Sequence, residues 1–211
     1  MMELLKPSNT KLNLRSREIE TEEISSQAIK KLLSEMRRIA IGEPTKKQVG
    51  KRSTVGLSAP QLGMLVRVIL VDLKADPSTP NTDPDLKIFI NPRIIASSEV
   101  ESIMREGCWS TGEICGAVSR PDKVTVSAID EQGKELQFVS SNPFQSHILQ
   151  HEIDHLDGIR FPSRIRDPKK LHMVARNEFQ DYRENWMTWK KLCPVESWLK
   201  IYNGENSDAN I

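Results

Sequence analysis

Cysteine is scarce: Cys108, Cys115 and Cys193 are the three in a chain of 211 residues. So thin and odd-numbered a set does not make the paired framework of a disulfide-stapled secreted domain. It fits a reducing compartment, the cytoplasm by default, in which each thiol is free for other chemistry. Long apolar runs are missing as well. The longest unbroken one, residues 68–71, is far short of the ~20 residues that cross a bilayer, so no membrane span is expected. Glu3 and Lys6 interrupt any apolar stretch near the start, which argues against a secretory signal. Neither charge is in excess: 30 Lys and Arg face 29 Asp and Glu, a net charge of +1. A DNA-binding or general nucleic-acid-binding protein would carry a basic surplus. What is present, 37% hydrophobic and 28% charged residues, describes one globular domain with a core of its own.

The patterning predicts an α+β fold: one small mixed or antiparallel sheet with helices packed against it, an N-terminal and a C-terminal helix among them. A single domain is expected over 1–206, and 207–211 reads as a disordered tail. Over 22–40, Ile24, Ala28, Leu32, Met36 and Ile39 recur at spacings of four and three, an amphipathic helix with Thr21 as its cap. A basic loop is expected over 43–54. Short Val- and Ile-rich stretches follow at 65–73, 86–90, 93–100, 124–128 and 135–139, with a proline-rich loop over 76–84. After Asn142 and Pro143 the period returns to helical and ends at Gly158. A last helix is expected over 167–192, its core-facing stripe formed by Phe179, Tyr182, Trp186 and Trp189. His172 has no evident partner and reads as a surface residue.

The strongest chemical signal is His151-Glu152-Ile153-Asp154-His155. Residues four apart lie one helical turn apart on one face, so two imidazoles can share a metal ion, with Glu152 beside them as a base. A third ligand chooses the enzyme class. Phe161 occupies the place where one protease clan has histidine, and it cannot bind metal. Glu178, in Asn177-Glu178-x-x-Asp181, imitates the glutamate of another clan, so a zinc endopeptidase stays open. Cys108, in Glu106-Gly107-Cys108-Trp109-Ser110, offers a thiolate that suits Zn²⁺ or Fe²⁺ beside two imidazoles. A third segment, Val55 to Gly63, has glycines near both ends, an internal Pro60 and the amide of Gln61. A third class of reading is a catalytically idle binder of peptide amino termini or ribosomes; an intact Glu152 speaks against it.

Taken together and in order, these segments resemble the peptide deformylase family. The family's G-x-G-x-A-A-P-Q-x-G corresponds to Thr54–Gly63, its E-G-C-x-S to 106–110, and its Q-H-E-x-D-H-x-x-G to 150–158, unbroken; Arg120 stands where the family has an arginine. The resemblance implies small mixed or antiparallel sheets packed around a central metal-binding helix, with an N-terminal and a C-terminal helix, and a hydrolase that releases formate from N-formylmethionyl nascent peptides. It implies Cys108, His151 and His155 as ligands of one divalent ion, Fe²⁺ natively, with Zn²⁺, Ni²⁺ or Co²⁺ able to substitute. Glu152 would be general base and then acid, with Gln61 Nε2 and the backbone N–H of Trp109 stabilising the oxyanion. Val55, Gly56, Gly107, Phe144, His147 and Ile148 would meet the substrate, and Asp154 and Arg120 would support the ligands. Thr54, Ser58 and Trp109 depart from the pattern: a β-branched residue disfavours positive φ, and the indole stands where leucine is common and would narrow the pocket. Cys115 reads as a bystander thiol. Residues 159–200 hold ten Lys or Arg against five Asp or Glu, a basic stretch suited to ribosomal RNA; the resemblance implies such contact, since in bacterial relatives the C-terminal extension docks on the ribosome.

Overall fold

A computed structural model describes residues 1–42, 54–77 and 84–205. Most of the expected loops over 43–54 and 76–84, and the tail at 207–211, lie outside the described residues. Among the described residues, two antiparallel sheets and four α-helices make up the fold. The larger sheet runs in the order β1 (Gly56–Ser58), β2 (Val68–Asp72), β3 (Leu86–Ser97), β6 (Val124–Ile129), β7 (Glu135–Val139). The smaller is β4 (Glu101–Gly107), β5 (Ile114–Pro121), β8 (Leu171–Met173). Both are wholly antiparallel, so the mixed alternative drops out.

α1 (Gln27–Ile41) lays Ile29, Leu32, Leu33 and Met36 on the large sheet beside Val68, Leu70 and Ile90. It begins five residues later than its periodicity predicts. Glu23 reaches back to the Glu20 N–H at 3.0 Å and closes a separate turn, Thr21–Glu23. Extended Ser26 then caps the helix proper, its Oγ accepting the Ile29 N–H at 3.3 Å. β3 runs through Pro92 as one strand because Asn91 absorbs a bulge. Its φ is +51°, and its side-chain amide bonds both the N–H and the C=O of Ile19, as a neighbouring strand would.

α2 (Pro143–Leu156) is the central helix, packed between strands of both sheets. Pro143 pre-sets its first turn, Asn142 Oδ1 caps the Gln145 N–H at 2.8 Å, and Gly158 at φ +73° turns the chain out. Nearly every α2 side chain from Gln145 onward is buried, so a helix built to carry polar groups has been given a dry interior.

The single helix expected over 167–192 does not form. Pro168 opens a short turn, and β8 then pairs with β5, putting Leu171 and His172 inside. Helix returns as α3 (Phe179–Asn185) and, after Pro194, as α4 (Val195–Tyr202). The aromatic stripe survives the break. Tyr182 is buried, with Phe179, Trp186 and Trp189 packed around it against Cys115 and Val174.

His172 is therefore not a surface residue. It is buried, its Nδ1 3.0 Å from the Tyr182 hydroxyl and its Nε2 3.2 Å from the Lys169 carbonyl. The neutral ring serves both, donating from Nε2 and accepting at Nδ1. Burial holds its pKa below the ordinary histidine value. A proton therefore binds the unfolded chain more readily than the fold, and stability falls as pH drops through the unfolded value of ~6.5. Melting temperatures taken from pH 7.5 down to 5.5 should decline less steeply in His172→Gln than in the parent. Equal slopes would refute this.

Candidate metal centre

The floor of the site is α2, where His151 is the one residue from Gln145 onward that is only part-buried. His151 and His155 project from consecutive turns, their rings 5.0 Å apart and edge to face. Across from them, β4 ends at Gly107 and the chain enters a turn, Trp109–Thr111, with Cys108 as the extended residue before it. Thr111 Oγ1 ties that turn, 2.9 Å from both the Cys108 and the Ile114 carbonyls, which share its one hydroxyl proton. The result brings the thiol to the imidazoles. The ligating atoms of Cys108, His151 and His155 all lie within 4.8 Å of one another, and Cys108 Sγ is 3.4 Å from His155 Nε2. Among the described residues this is the one such group of His, Cys, Asp and Glu. Glu178, the endopeptidase candidate, is elsewhere, taking the Ala175 N–H at 3.1 Å and pairing with Lys191.

The donor chemistry fits a divalent ion. Glu106 Oε2 lies 2.8 Å from His151 Nδ1, so that nitrogen carries the proton and Nε2 keeps its lone pair for a metal. Burial alone would push the Cys108 thiol up, but the charges and hydrogen bonds of His155 and His151 hold it well below the usual thiol range, which favours a thiolate. Cys115 is the opposite case: burial pushes it up to about 12 and leaves it inert.

Beneath the ligands runs a ladder of alternating charge. Glu106, held as a carboxylate against its burial by His147, His151 and Arg120, accepts two hydrogen bonds from Arg120 at 2.6 and 3.1 Å. Arg120 Nη1 reaches Asp154 Oδ2 at 2.8 Å, and Arg164 closes the far end on the same carboxylate. His147 joins at the near end, Nδ1 3.5 Å from Glu106 Oε1 and Nε2 3.3 Å from Ser102 Oγ.

Above these three residues sit the groups expected to act on a substrate. Glu152 is buried, and burial pushes its carboxyl up to about 7; its Oε2 has no hydrogen-bond partner. Gly56 makes room for it, since a Cβ there would come 2.4 Å from Glu152 Oε1. That space, and not a positive φ, is why the position is glycine; Thr54 too avoids positive φ and bonds the Gly56 carbonyl at 2.8 Å. Gln61 Nε2 lies 3.3 Å from Cys108 Sγ, its Oε1 pinned by the N–H and hydroxyl of Ser58 at 2.8 and 3.0 Å. Ser58, a departure from the family's alanine, therefore fixes which way the amide points. Trp109 is half-exposed, and its indole donates to the Leu5 carbonyl at 3.1 Å, tethered to the N-terminal segment. Gly107 is glycine for packing, because a Cβ would stand 2.9 Å from Cys115 Sγ. Val55 is exposed, whereas Ile148 and Phe144 pack with the core of the large sheet.

Sequence reasoning missed Ser110, whose hydroxyl donates to Cys108 Sγ at 3.2 Å, and Arg160, discussed below. Ser110 stood in the quoted motif; Arg160 carried no local signal.

A model of the polypeptide deformylase family matches residues 1–171. A peptide deformylase of Treponema pallidum is 41% identical over 122 residues, 58% of this chain and 69% of that one. One from Bradyrhizobium diazoefficiens is 33% identical over 153 residues, covering 72% and 86%. Among solved structures, the Met-Ala-Ser-bound class I type b peptide deformylase from Acinetobacter baumannii aligns with TM-score 0.67 and 28% identity over 78% of this chain and 98% of that one.

Proposed function

Because the chain belongs to the polypeptide deformylase family, we propose that Cys108, His151 and His155 hold its metal ion, natively Fe²⁺, and that Glu152, Gln61 and Trp109 perform its chemistry. The protein is an enzyme that removes the N-formyl group from nascent peptides, and its family is metal-dependent. One observation carries the residue assignment: the convergence of one thiol and two imidazoles within 4.8 Å, next to a buried carboxyl with an unpartnered oxygen.

A bound divalent ion supplies Lewis acidity, which makes water a better acid and polarises the formyl carbonyl. The chain's residues do the rest. Glu152 takes the proton of the attacking water on Oε2 and returns it to the leaving amine, a cycle suited to a carboxyl raised toward neutrality by burial. Gln61 Nε2, aimed by Ser58, and the Trp109 N–H, which has no partner within the turn it opens, donate to the carbonyl oxygen as charge develops there. Val55, Gly56 and Gly107 meet the peptide backbone. Phe144, His147 and Ile148 share one face of α2 and flank the methionine side chain. The relative from Acinetobacter baumannii was crystallised with Met-Ala-Ser, the product such a reaction would leave. A thiolate with two imidazoles suits Fe²⁺ or Zn²⁺, and Ni²⁺ or Co²⁺ would substitute.

Formate release from formyl-Met-Ala-Ser, measured on protein loaded anaerobically with Fe²⁺, tests this. Activity should vanish in Cys108→Ala and fade on exposure to air. Cleavage of internal peptide bonds without formate would sink it. No helix among the described residues is long and apolar enough to cross a membrane; together with the free thiols, this supports a cytoplasmic location. The basic stretch over 159–200 supports contact with ribosomal RNA through exposed Arg166, Lys169, Lys190 and Lys191. Reversing those four charges should abolish co-sedimentation with ribosomes at low salt.

A further inference from the structure

Arg160 is one of the largest fully buried side chains in the protein, at 0% exposure, and among the described residues no carboxylate pairs with it. Its partners are neutral. Nη1 donates to the carbonyls of Pro7 and Ser110 at 2.7 and 2.9 Å, and Nη2 to Asn13 Oδ1 at 2.7 Å. Its cationic plane lies under the rings of Trp198 and Tyr202, 4.6 and 5.2 Å from their centroids. Asn13 completes the circuit by donating to the Tyr202 carbonyl at 2.6 Å. Burial pulls the guanidinium down to about 10, which leaves it charged at neutral pH. A buried cation without a carboxylate is costly, and an apolar side chain of similar volume would fill the space more cheaply. Something other than packing is gained by it.

The gain lies at Ser110. Arg160 grips its carbonyl, while its hydroxyl donates to Cys108 Sγ at 3.2 Å and the residue itself is 1% exposed. Groups that hydrogen-bond a metal's ligands fix their orientation and tune their donor strength. Trp198 and Tyr202 belong to α4, which lies beyond the span of the family match. We infer that Arg160 is a positioning residue for the Cys108 thiolate, acting through Ser110, and that α4 holds it in place by covering the guanidinium with Trp198 and Tyr202. The inference rests on Cys108 being a metal ligand, and it makes the C-terminal segment part of the metal site's support.

Full-length protein loaded with Co²⁺ tests it, because a thiolate on cobalt gives a charge-transfer absorption that reports the sulfur directly. Arg160→Met and Trp198→Ala should each shift that band and speed cobalt loss to a chelator by ~10- to 100-fold. Their kcat should fall with KM little changed, and Trp198→Phe should restore the parental spectrum. Ser110→Ala should shift the band likewise, and adding Arg160→Met to it should shift it no further. Should Arg160→Met fail to fold, Trp198→Ala and Ser110→Ala still decide the matter. A parental band unmoved in the folded Trp198→Ala protein, with cobalt release unchanged, overturns the inference alone. A parental protein with no thiolate band overturns the Cys108 assignment, and the inference with it.

Discussion

Glu152→Gln should lower kcat for formate release by roughly 10²- to 10⁴-fold while the protein still takes up one metal ion per chain. The amide keeps the size and shape of the carboxyl but cannot accept a proton, so the loss isolates proton transfer from packing. The surroundings are built for that transfer. Glu152 lies in a dry pocket that pushes it up to about 7, and its Oε2 faces no protein donor that would tie it down. Its place depends on Gly56: the Cβ of Gly56→Ala would fall 2.4 Å from Oε1 and force the carboxyl aside. A misplacement of about 1 Å costs on the order of 10²-fold. Gly56→Ala should therefore cost much of what Glu152→Gln costs, through geometry alone. The check is kcat and KM for both variants, beside metal content by atomic absorption. Near-parental kcat in metal-loaded Glu152→Gln would remove Glu152 from the chemistry.

Arg120→Leu should be the most destabilising single change in the site. The side chains of Arg120, Glu106 and Asp154 are 4 to 7% exposed, and the guanidinium spans both carboxylates. Removing it leaves Glu106 to His147 and His151 and Asp154 to the half-exposed Arg164; breaking such a buried network costs about 3–5 kcal/mol, or about 6–20 °C in melting temperature for a chain of this size. Lysine should not rescue it, because a single ammonium cannot make the forked contact with Glu106 while reaching Asp154. Arg164→Ala provides the contrast. It ends on the same Asp154 but is 47% exposed, so its pair is worth at most about 1 kcal/mol. Metal affinity should fall along with stability in Arg120→Leu, because Glu106 also fixes the tautomer of His151. A melting temperature within about 2 °C of the parent would show that the ladder contributes little.

The central helix, α2, was legible because its signal is local. His151 and His155 are one turn apart in any helix, and Asn142, Pro143 and Gly158 mark its ends. The first helix was legible in its face but not in its start, where a glutamate turned back to cap a separate turn. β4 and β5 carried weak signals, since their inner faces are polar where they line the site, with Glu106 and Arg120 in place of aliphatic residues. The helix expected over 167–192 failed for a related reason. Aromatics spaced by three and four did pack on one core, but residues 171–173 gained more by pairing with β5 than by continuing a helix past Pro168. His172 went inside with that strand, which no pattern within its own segment could reveal.

Residue order alone determined the chemistry on offer: two imidazoles and a carboxyl on one helix, a thiol in a turn, an amide in a loop. Each is written in a few adjacent residues, where backbone geometry leaves little freedom. Closure of the small sheet decided that the thiol of Cys108 meets an imidazole 47 residues away, and buried Arg120 and Arg160 beneath the loop that carries it. Those contacts join segments far apart in the chain, so their existence depends on how whole sheets and helices exclude water together, and no short stretch of sequence encodes that.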